Sequence, residues 1–547
     1  MKRSLAEPAH KVVKRLAALL VALTVLSAFG CKKAEEPQAS APVGLPTPTT
    51  EPLPAQGGEL NLPMPTNADR LDPLSVNTEE MLNVFSLIFE GLLSVDQTSA
   101  LVAGLAETWS CDESGKVWTL NLRNSAHWHD NREKVTAADV KYTYDRLFSM
   151  PASYYSYHAA KIQSVEAVDE YTVRVTMKAA GIASLYALTV PIMRADSASA
   201  ATPVGTGPFK VTYSSSELLT LGANDNWWKQ RPYIDTINFI ARDNNETALA
   251  SYAAGQLDMV PTSAVTAGKY REEGITTVYD ILTQNAEFLF LNSSDAALKN
   301  VNVRMALACG IDRSKIITNV YMNRAQACDV PIAPDSWLYD SASKVYDYDP
   351  ARALALLKEA GYADVDNDGF LEANGSRTDK LTFTLLVTDT ADNLREDAAN
   401  DIAAQLLELG IQVEVVPAAY SLTEADNAFS QKLSAGEFDL ALCGFNLSRD
   451  GILSAFVDAN GVRNYGKYSS TELSDLANNM LSAADETAYR AAASAFEMQF
   501  VKELPFLTLY FRLNSIVYDS TIRGVTGARE PDTLRTADKW YLYTPNG

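Results

Sequence analysis

The clearest hydrophobic pattern in the chain lies between Leu105 and Phe148. Trp118, Leu120 and Leu122 alternate with Thr119, Asn121 and Arg123, a period of two that predicts a half-buried strand. A loop through His127-Trp128-His129-Asp130 follows, and then a helix start. Thr136 stands as N-cap with Asp139 three residues on, while Val135 and Val140 occupy the positions of a hydrophobic staple. Val140, Tyr144, Leu147 and Phe148 fall on one face of that helix. Elsewhere, strands are predicted at 58–62, 171–177, 382–387, 412–416, 438–445, 506–512 and 515–518. Helices are predicted at 79–93, 244–258, 397–410 and 488–500, and over 301–321 with a break around Gly310-Ile311-Asp312. Asp349-Pro350 opens one more helix, with Asp as N-cap, Pro in the first turn and Gly361 as terminator. The strand–helix–strand run from 382 to 416 implies a parallel pair. Helices and strands alternate without an internal repeat, so the body is α/β or mixed α+β.

Composition adds compartment and scale. A chain of 547 residues exceeds one ordinary core, so two or more domains are expected. Its net charge of −22 argues against nucleic acid or anionic lipid as a partner, because both require basic patches. At the N-terminus, Lys2, Arg3, Lys11, Lys14 and Arg15 precede an apolar run from Leu16 to Phe29. That run is short for a membrane span and suits a secretory signal. Ala28-Phe29-Gly30-Cys31 then resembles a bacterial lipoprotein cleavage site, which makes Cys31 the candidate lipidation residue. Residues 1–30 are read as a lipoprotein signal peptide, with an uncleaved anchor as the alternative, and 31–58 as a tether. Pro37, Pro42, Pro46, Pro48, Pro52 and Pro54 favour an extended spacer there. Four further cysteines, Cys111, Cys309, Cys328 and Cys443, allow three pairings. Cys309 sits in an apolar run and reads as a buried thiol, with a Cys309–Cys328 bridge as the alternative.

Few residues invite chemistry. His127 and His129 could share a face as a metal pair, but Trp128 between them and the lack of a nearby cysteine favour structural hydrogen bonding. The Gly205-Thr206-Gly207 run is followed by Pro208 and a strand-like continuation. It therefore reads as an inter-strand turn and not as a phosphate cradle, which must open a helix. No G-x-S-x-G, H-E-x-x-H or Walker sequence occurs, so no enzyme is expected. Asp364, Asp366 and Asp368 with Gly369 match the first half of an EF-hand loop. Gly375 stands where the bidentate Glu belongs, leaving either a weak structural calcium site or a solvated acidic turn. No other cofactor is expected.

The blocks LAETW, WTLNLR, WHD and VTAADVKYTYDR, then PVGTGPF, ALASYAAGQLDMVP and NVRMALACGIDR, together resemble the extracytoplasmic solute-binding proteins of family five. These are the oligopeptide- and dipeptide-binding proteins of ABC importers. Asn131 stands where members usually carry Gly, and Asn also tolerates left-handed backbone. The resemblance implies a two-lobed, periplasmic-binding-protein-like fold of three domains with a discontinuous first lobe. Residues 59–91, 204–283 and 509–547 would form the first lobe's core, 92–203 an inserted domain, and 284–508 the other lobe. It further implies a monomeric, membrane-tethered receptor on the outer face of the cytoplasmic membrane. That receptor would bind an oligopeptide or similar small solute by lobe closure and deliver it to the permease subunits. A nickel chelate, sugar or opine on the same fold, or a stand-alone sensor or adhesion lipoprotein, are the alternatives.

For the site, the resemblance points to the strand Leu440–Asn446, whose Gly-aromatic pair would line the cleft. Gly444 would admit a ligand backbone and Phe445 would wall it, flanked by Cys443 and Asn446. Peptide-binding members place an Asp shortly afterwards to hold the ligand's α-ammonium; here that position is Ser448, or Asp450 with a two-residue shift. Asn67, Trp337, Asn464 and Tyr465 are further candidates by position, with packing (Trp337) and turn-forming (Asn464) roles as their alternatives.

Overall fold

The computed structural model describes residues 53–65, 71–76, 78–131, 133–196, 203–373, 375–390, 394–421, 423 and 427–543. Cys31 and the signal and tether up to residue 52 lie outside the described residues. Three sheets organise the rest. The first runs Glu59–Pro65, Thr236–Arg242, Leu218–Ala223, Phe209–Ser214 in spatial order. The second runs Ala106–Cys111, Val117–Leu122, Thr172–Met177, Ile162–Ala167. The third and largest runs Met259–Thr262, Phe506–Asp519, Thr276–Leu291, Leu440–Asn446, Thr382–Asp389, Gln412–Ala419, with Ala325–Ala327 paired beside Phe506–Asp519. Helices are interspersed throughout, giving the mixed α/β fold the alternation predicts.

Several local predictions carry over into geometry. Asp139 accepts from the Thr136 backbone N–H and hydroxyl, both at 2.9 Å, and the staple residues Val135 and Val140 are buried. Thr382–Asp389 and Gln412–Ala419 pair in parallel, as the strand–helix–strand unit requires. The helical region from 301 forms two helices, Val301–Gly310 and Arg313–Asn319, and Asp312 caps the second. Asn131 adopts φ +54°, the left-handed backbone that Asn tolerates. Other boundaries differ. The helix at 79 stops at Ile88, because Phe89 turns extended and Gly91 bridges to Pro191. The two late strands are one continuous strand, Phe506–Asp519.

The largest element is one that hydrophobic spacing does not reveal. Thr276–Leu291 is buried on alternate residues at first and on nearly every residue from Ala286 onward. Its ladder with Phe506–Asp519 shifts register between Leu282 and Ala286, a local interruption that adds twist. One end of this pair joins the core beneath the first sheet through Ile281, Ile516 and Tyr518. The other end, Ala286–Leu291 with Phe506–Phe511, belongs to a second core that extends to the helix and strands around Trp118 and Tyr144.

Direct bonds also join the second sheet's unit to the third. Ile182 N–H donates to Ala483 O at 2.8 Å, and Trp337 N–H donates to Thr98 O at 2.9 Å. Gly181 makes the first of these approachable: its φ is +117°, and a Cβ there would meet Leu481 O.

Within the largest sheet, Glu287 is buried and lies opposite Gly444. Arg395 donates to both carboxylate oxygens of Glu287, at 2.8 and 3.1 Å, so the charge is met bidentately. A Cβ at Gly444 would meet the Arg395 guanidinium and Glu287 Oε1. Gly444→Ala should therefore displace Arg395 and destabilise the protein by about 1–3 kcal/mol, read as a lower urea midpoint. An unchanged midpoint would contradict this role for the glycine.

A second buried carboxyl, Glu497, accepts from Asp340 N–H at 3.0 Å, and burial pushes its pKa up to about 8 from an ordinary 4.5. A carboxyl raised on folding keeps a proton that the unfolded chain releases, so stability falls as pH rises from about 4.5 to about 8. Glu497→Gln keeps an acceptor for Asp340 and removes the titration. Its melting temperature should lose less than the parent's between pH 5 and pH 8, as checked by thermal denaturation at both values.

Candidate functional site

A cleft of about 340 Å³ opens where segments from all three sheet units converge. The helix Glu79–Ile88 and the following loop to Val95 form one wall, Tyr154–His158 another, and Asn446–Asp450 a third. Arg529, Glu530 and Asp532 close the far side, and Gln284, from the irregular part of the long strand, reaches the floor. Its volume falls within the range of small-molecule sites, about 300–1,000 Å³.

The candidate residues separate into two groups. Asn446, Ser448 and Asp450 line the cleft. The others are engaged elsewhere, and Asn67 lies outside the described residues. Gly444 leaves room for Arg395 and Glu287, not for a ligand backbone. Phe445 stacks on Phe288 with centroids 5.9 Å apart and on Tyr465 at 6.1 Å, so both rings belong to the aromatic core. Cys443 is buried in the same layer, opposite Phe288. Asn464 donates to Asp458 O and Tyr468 O and accepts from Tyr468 N–H, which makes it a turn residue. Trp337 donates from Nε1 to Tyr186 at 3.2 Å and packs edge-on against Tyr489. It is a packing anchor between two units.

The metal candidates change in the same way. His129 accepts from Gly205 N–H on Nδ1 at 3.2 Å and donates from Nε2 to Gly207 O at 3.1 Å. Burial lowers its pKa to about 4, so it is a neutral clamp on the glycine turn. His127 Nδ1 faces Ser125 O at 3.0 Å. In the acidic loop, Asp368 is held by Lys380. Asp364 and Asp366 instead converge with Glu372, their ligand atoms lying within 4.8 Å of one another, so Glu372 takes the place expected of Asp368. All four described cysteines are free, and the Cys309–Cys328 bridge does not form. Cys328 instead donates to Val330 O and Ile332 O.

Electrostatics in the cleft come largely from residues that spacing could not single out. Asp450 is 1% exposed and forms an ion pair with Lys161, from the short helix Ser156–Lys161. Tyr157 reaches the same carboxylate oxygen at 3.5 Å, and Tyr489 donates to the Asp450 carbonyl. Beside it, Arg449 has its pKa lowered to about 10 by burial. Arg529 is lowered well below its ordinary value, first by burial and then by Arg449. Burial pushes Glu530 up to about 7, although Asn514 donates to it. His158 is lowered to about 4 by burial and then by Lys161, so it lines the cleft as a neutral ring. The charged run Arg529-Glu530-Pro531-Asp532, late in the chain, was the one sequence signal for this wall.

Comparison with known proteins agrees with the fold. Residues 100–460 match the model of the bacterial extracellular solute-binding proteins, family 5 Middle. The oligopeptide-binding protein AppA of Bacillus subtilis is 25% identical over 558 residues, covering 96% of this chain and 98% of that protein. The nickel-binding periplasmic protein of Escherichia coli is 23% identical over 384 residues, covering 65% and 71%. Among solved structures, HbpA2 from Haemophilus parasuis superposes with a TM-score of 0.75 at 22% identity, covering 89% of this chain and 100% of that one. The Bacillus subtilis AppA complex with a nonapeptide gives 0.60 at 23% identity, covering 90% and 100%. With the family model spanning more than half its length, this chain belongs to family 5 of the bacterial extracellular solute-binding proteins, the receptors of ABC importers.

Proposed function

We propose that the protein captures a short peptide, or a small solute of similar polarity, and presents it to the permease of an ABC importer. The observation that carries this reading is the cleft itself. Three separately built units each contribute a wall, and polar groups from Gln284, Asn446 and Ser448 converge on its interior. A site assembled this way is complete only when the units are together. Binding and closure are then one event, and a permease can tell a loaded receptor from an empty one by shape.

The lobes of this reading are 59–91 with 204–283 and 509–547 on one side, and 284–508 on the other, with 92–203 as the inserted domain. Thr276–Leu291 and Phe506–Asp519 cross between them, and the register shift after Leu282 is the place where a hinge costs least. Cys31 would carry the lipid, and the proline-rich segment would hold the receptor off the outer face of the membrane as a monomer. The peptide assignment takes support from AppA, named as oligopeptide-binding, and from a dipeptide-binding protein of Escherichia coli, 28% identical over 297 residues. No catalytic role is assigned to any residue of the cleft.

The test is native mass spectrometry of protein purified without denaturation, followed by a thermal-shift screen against short peptides. A ladder of peptide masses on the protein, or melting-temperature increases with particular peptides, is the expected result. One discrete non-peptide mass, such as a metal chelate, together with no shift by any peptide, would overturn the peptide assignment.

A further inference from the structure

Between the helix Pro350–Glu359 and the strand Thr382–Asp389, four carboxylates fall close together in the chain: Asp364, Asp366, Asp368 and Glu372. They are not equivalent. Asp368 is met by Lys380, which donates to its Oδ2 at 2.5 Å and lies over the Phe370 ring. Asp364, Asp366 and Glu372 each offer one carboxylate oxygen to a common space, and these oxygens lie within 4.8 Å of one another. Among the described residues no lysine or arginine forms an ion pair with any of the three, and Lys380 acts on Asp366 and Glu372 only through space.

An acidic cluster in water needs no ion, because solvent satisfies it. Glu372 sets this one apart. It is 0% exposed, and the short strand pair Tyr362–Ala363 with Glu372–Ala373 fixes its backbone. Its Oε2 accepts from Val365 N–H at 2.9 Å, while Oε1 is buried without a hydrogen-bond partner among the described residues. A buried carboxylate oxygen without a donor is costly, and two more carboxylates at its side raise that cost. What the three lack is positive charge. Their donor set is all oxygen, with no imidazole or thiolate to favour zinc or copper. Calcium takes six to eight oxygens at about 2.3–2.6 Å, so two ligands of one ion can stand up to about 5 Å apart. Asp364 and Asp366 are exposed, which leaves the remaining positions open to water. Magnesium suits the set less, because it demands a near-ideal octahedron at about 2.0–2.1 Å.

We propose that Asp364, Asp366 and Glu372 bind one calcium ion, and that the ion pins this loop to the largest sheet. Leu371, next to Glu372, is buried and donates its N–H to Gly410 O at 2.9 Å. Leu381 N–H donates to Leu371 O at 2.7 Å, and Gln412 N–H to Leu381 O at 3.1 Å. An ion on Glu372 therefore acts at the point where the parallel strands Thr382–Asp389 and Gln412–Ala419 begin. None of the three ligands lines the cleft, so the site is structural and independent of the receptor reading.

Isothermal titration of calcium chloride into the full protein, stripped with EDTA and dialysed, tests this against sodium chloride of matched ionic strength. One ion per chain is expected, with a Kd of about 0.1–1 mM, the range of extracellular calcium modules. The melting temperature should rise with calcium, because the ion binds the folded chain alone. Asp366→Asn and Glu372→Gln should each weaken binding by about tenfold or more and remove the thermal shift. Circular dichroism establishes that each variant is folded, and the exposed Asp366 decides the matter should Glu372→Gln not fold. A net charge of −22 draws cations to many places on the surface. Calcium heat that persists unchanged in folded Asp366→Asn therefore overturns the proposal. So does a parent that shows neither heat nor thermal shift with calcium. Magnesium binding as tightly as calcium overturns the assignment to calcium.

Discussion

Two paired strands hold this molecule to one geometry. Thr276–Leu291 and Phe506–Asp519 both contribute to the core under the first sheet and to the core in the centre of the largest. Each core holds its own end of the ribbon, and a short stretch of the two strands connects them. That stretch is where the ladder shifts register, and where Gln284 lines the cleft. A backbone whose hydrogen bonds are interrupted is cheaper to twist than one in an intact ladder. The compliant part of the ribbon and the floor of the cleft are thus the same residues.

Charge burial is the second constraint, and it explains why the cleft's walls are not interchangeable. Glu287 with Arg395 and Asp450 with Lys161 are pairs completed inside the protein, and each brings together residues far apart in the chain. The first pair lies within one sheet unit and stabilises it whatever the cleft does. The second joins residues 289 positions apart, from the helix Ser156–Lys161 and the loop after Leu440–Asn446. Gly181, with a backbone that an L-residue with a side chain seldom adopts, marks another such point, because it lets Ile182 N–H reach Ala483 O.

Most of the fold was legible in the sequence wherever burial is one-sided. The capped helix after Thr136, the strand–helix–strand run at 382–416 and the divided helix at 310–312 all show a single apolar face or a clear stop. The long strand at 276 was not legible, because its second half is buried on both faces and loses the alternation that marks a strand. Of the candidate site residues, Asn446, Ser448 and Asp450 line the cleft, and the other described ones pack or bond elsewhere. Gly444 and Phe445 attract notice because small and aromatic residues suit ligand contact, yet the same properties suit an ion pair's clearance and a packed ring. Arg529 lies 80 residues beyond Arg449, and nothing in the spacing of a linear chain brings them to one wall.

The cysteines carry a practical consequence. Cys328 and Cys443 are buried, and burial raises both thiols, Cys328 to about 12, so neither offers appreciable thiolate. Cys309 is buried as well, and the exposed Cys111 is also raised by its surroundings. No covalent cross-link contributes to any of the cores described. The four described cysteines form no disulfide, so a reductant has no cross-link to break among them.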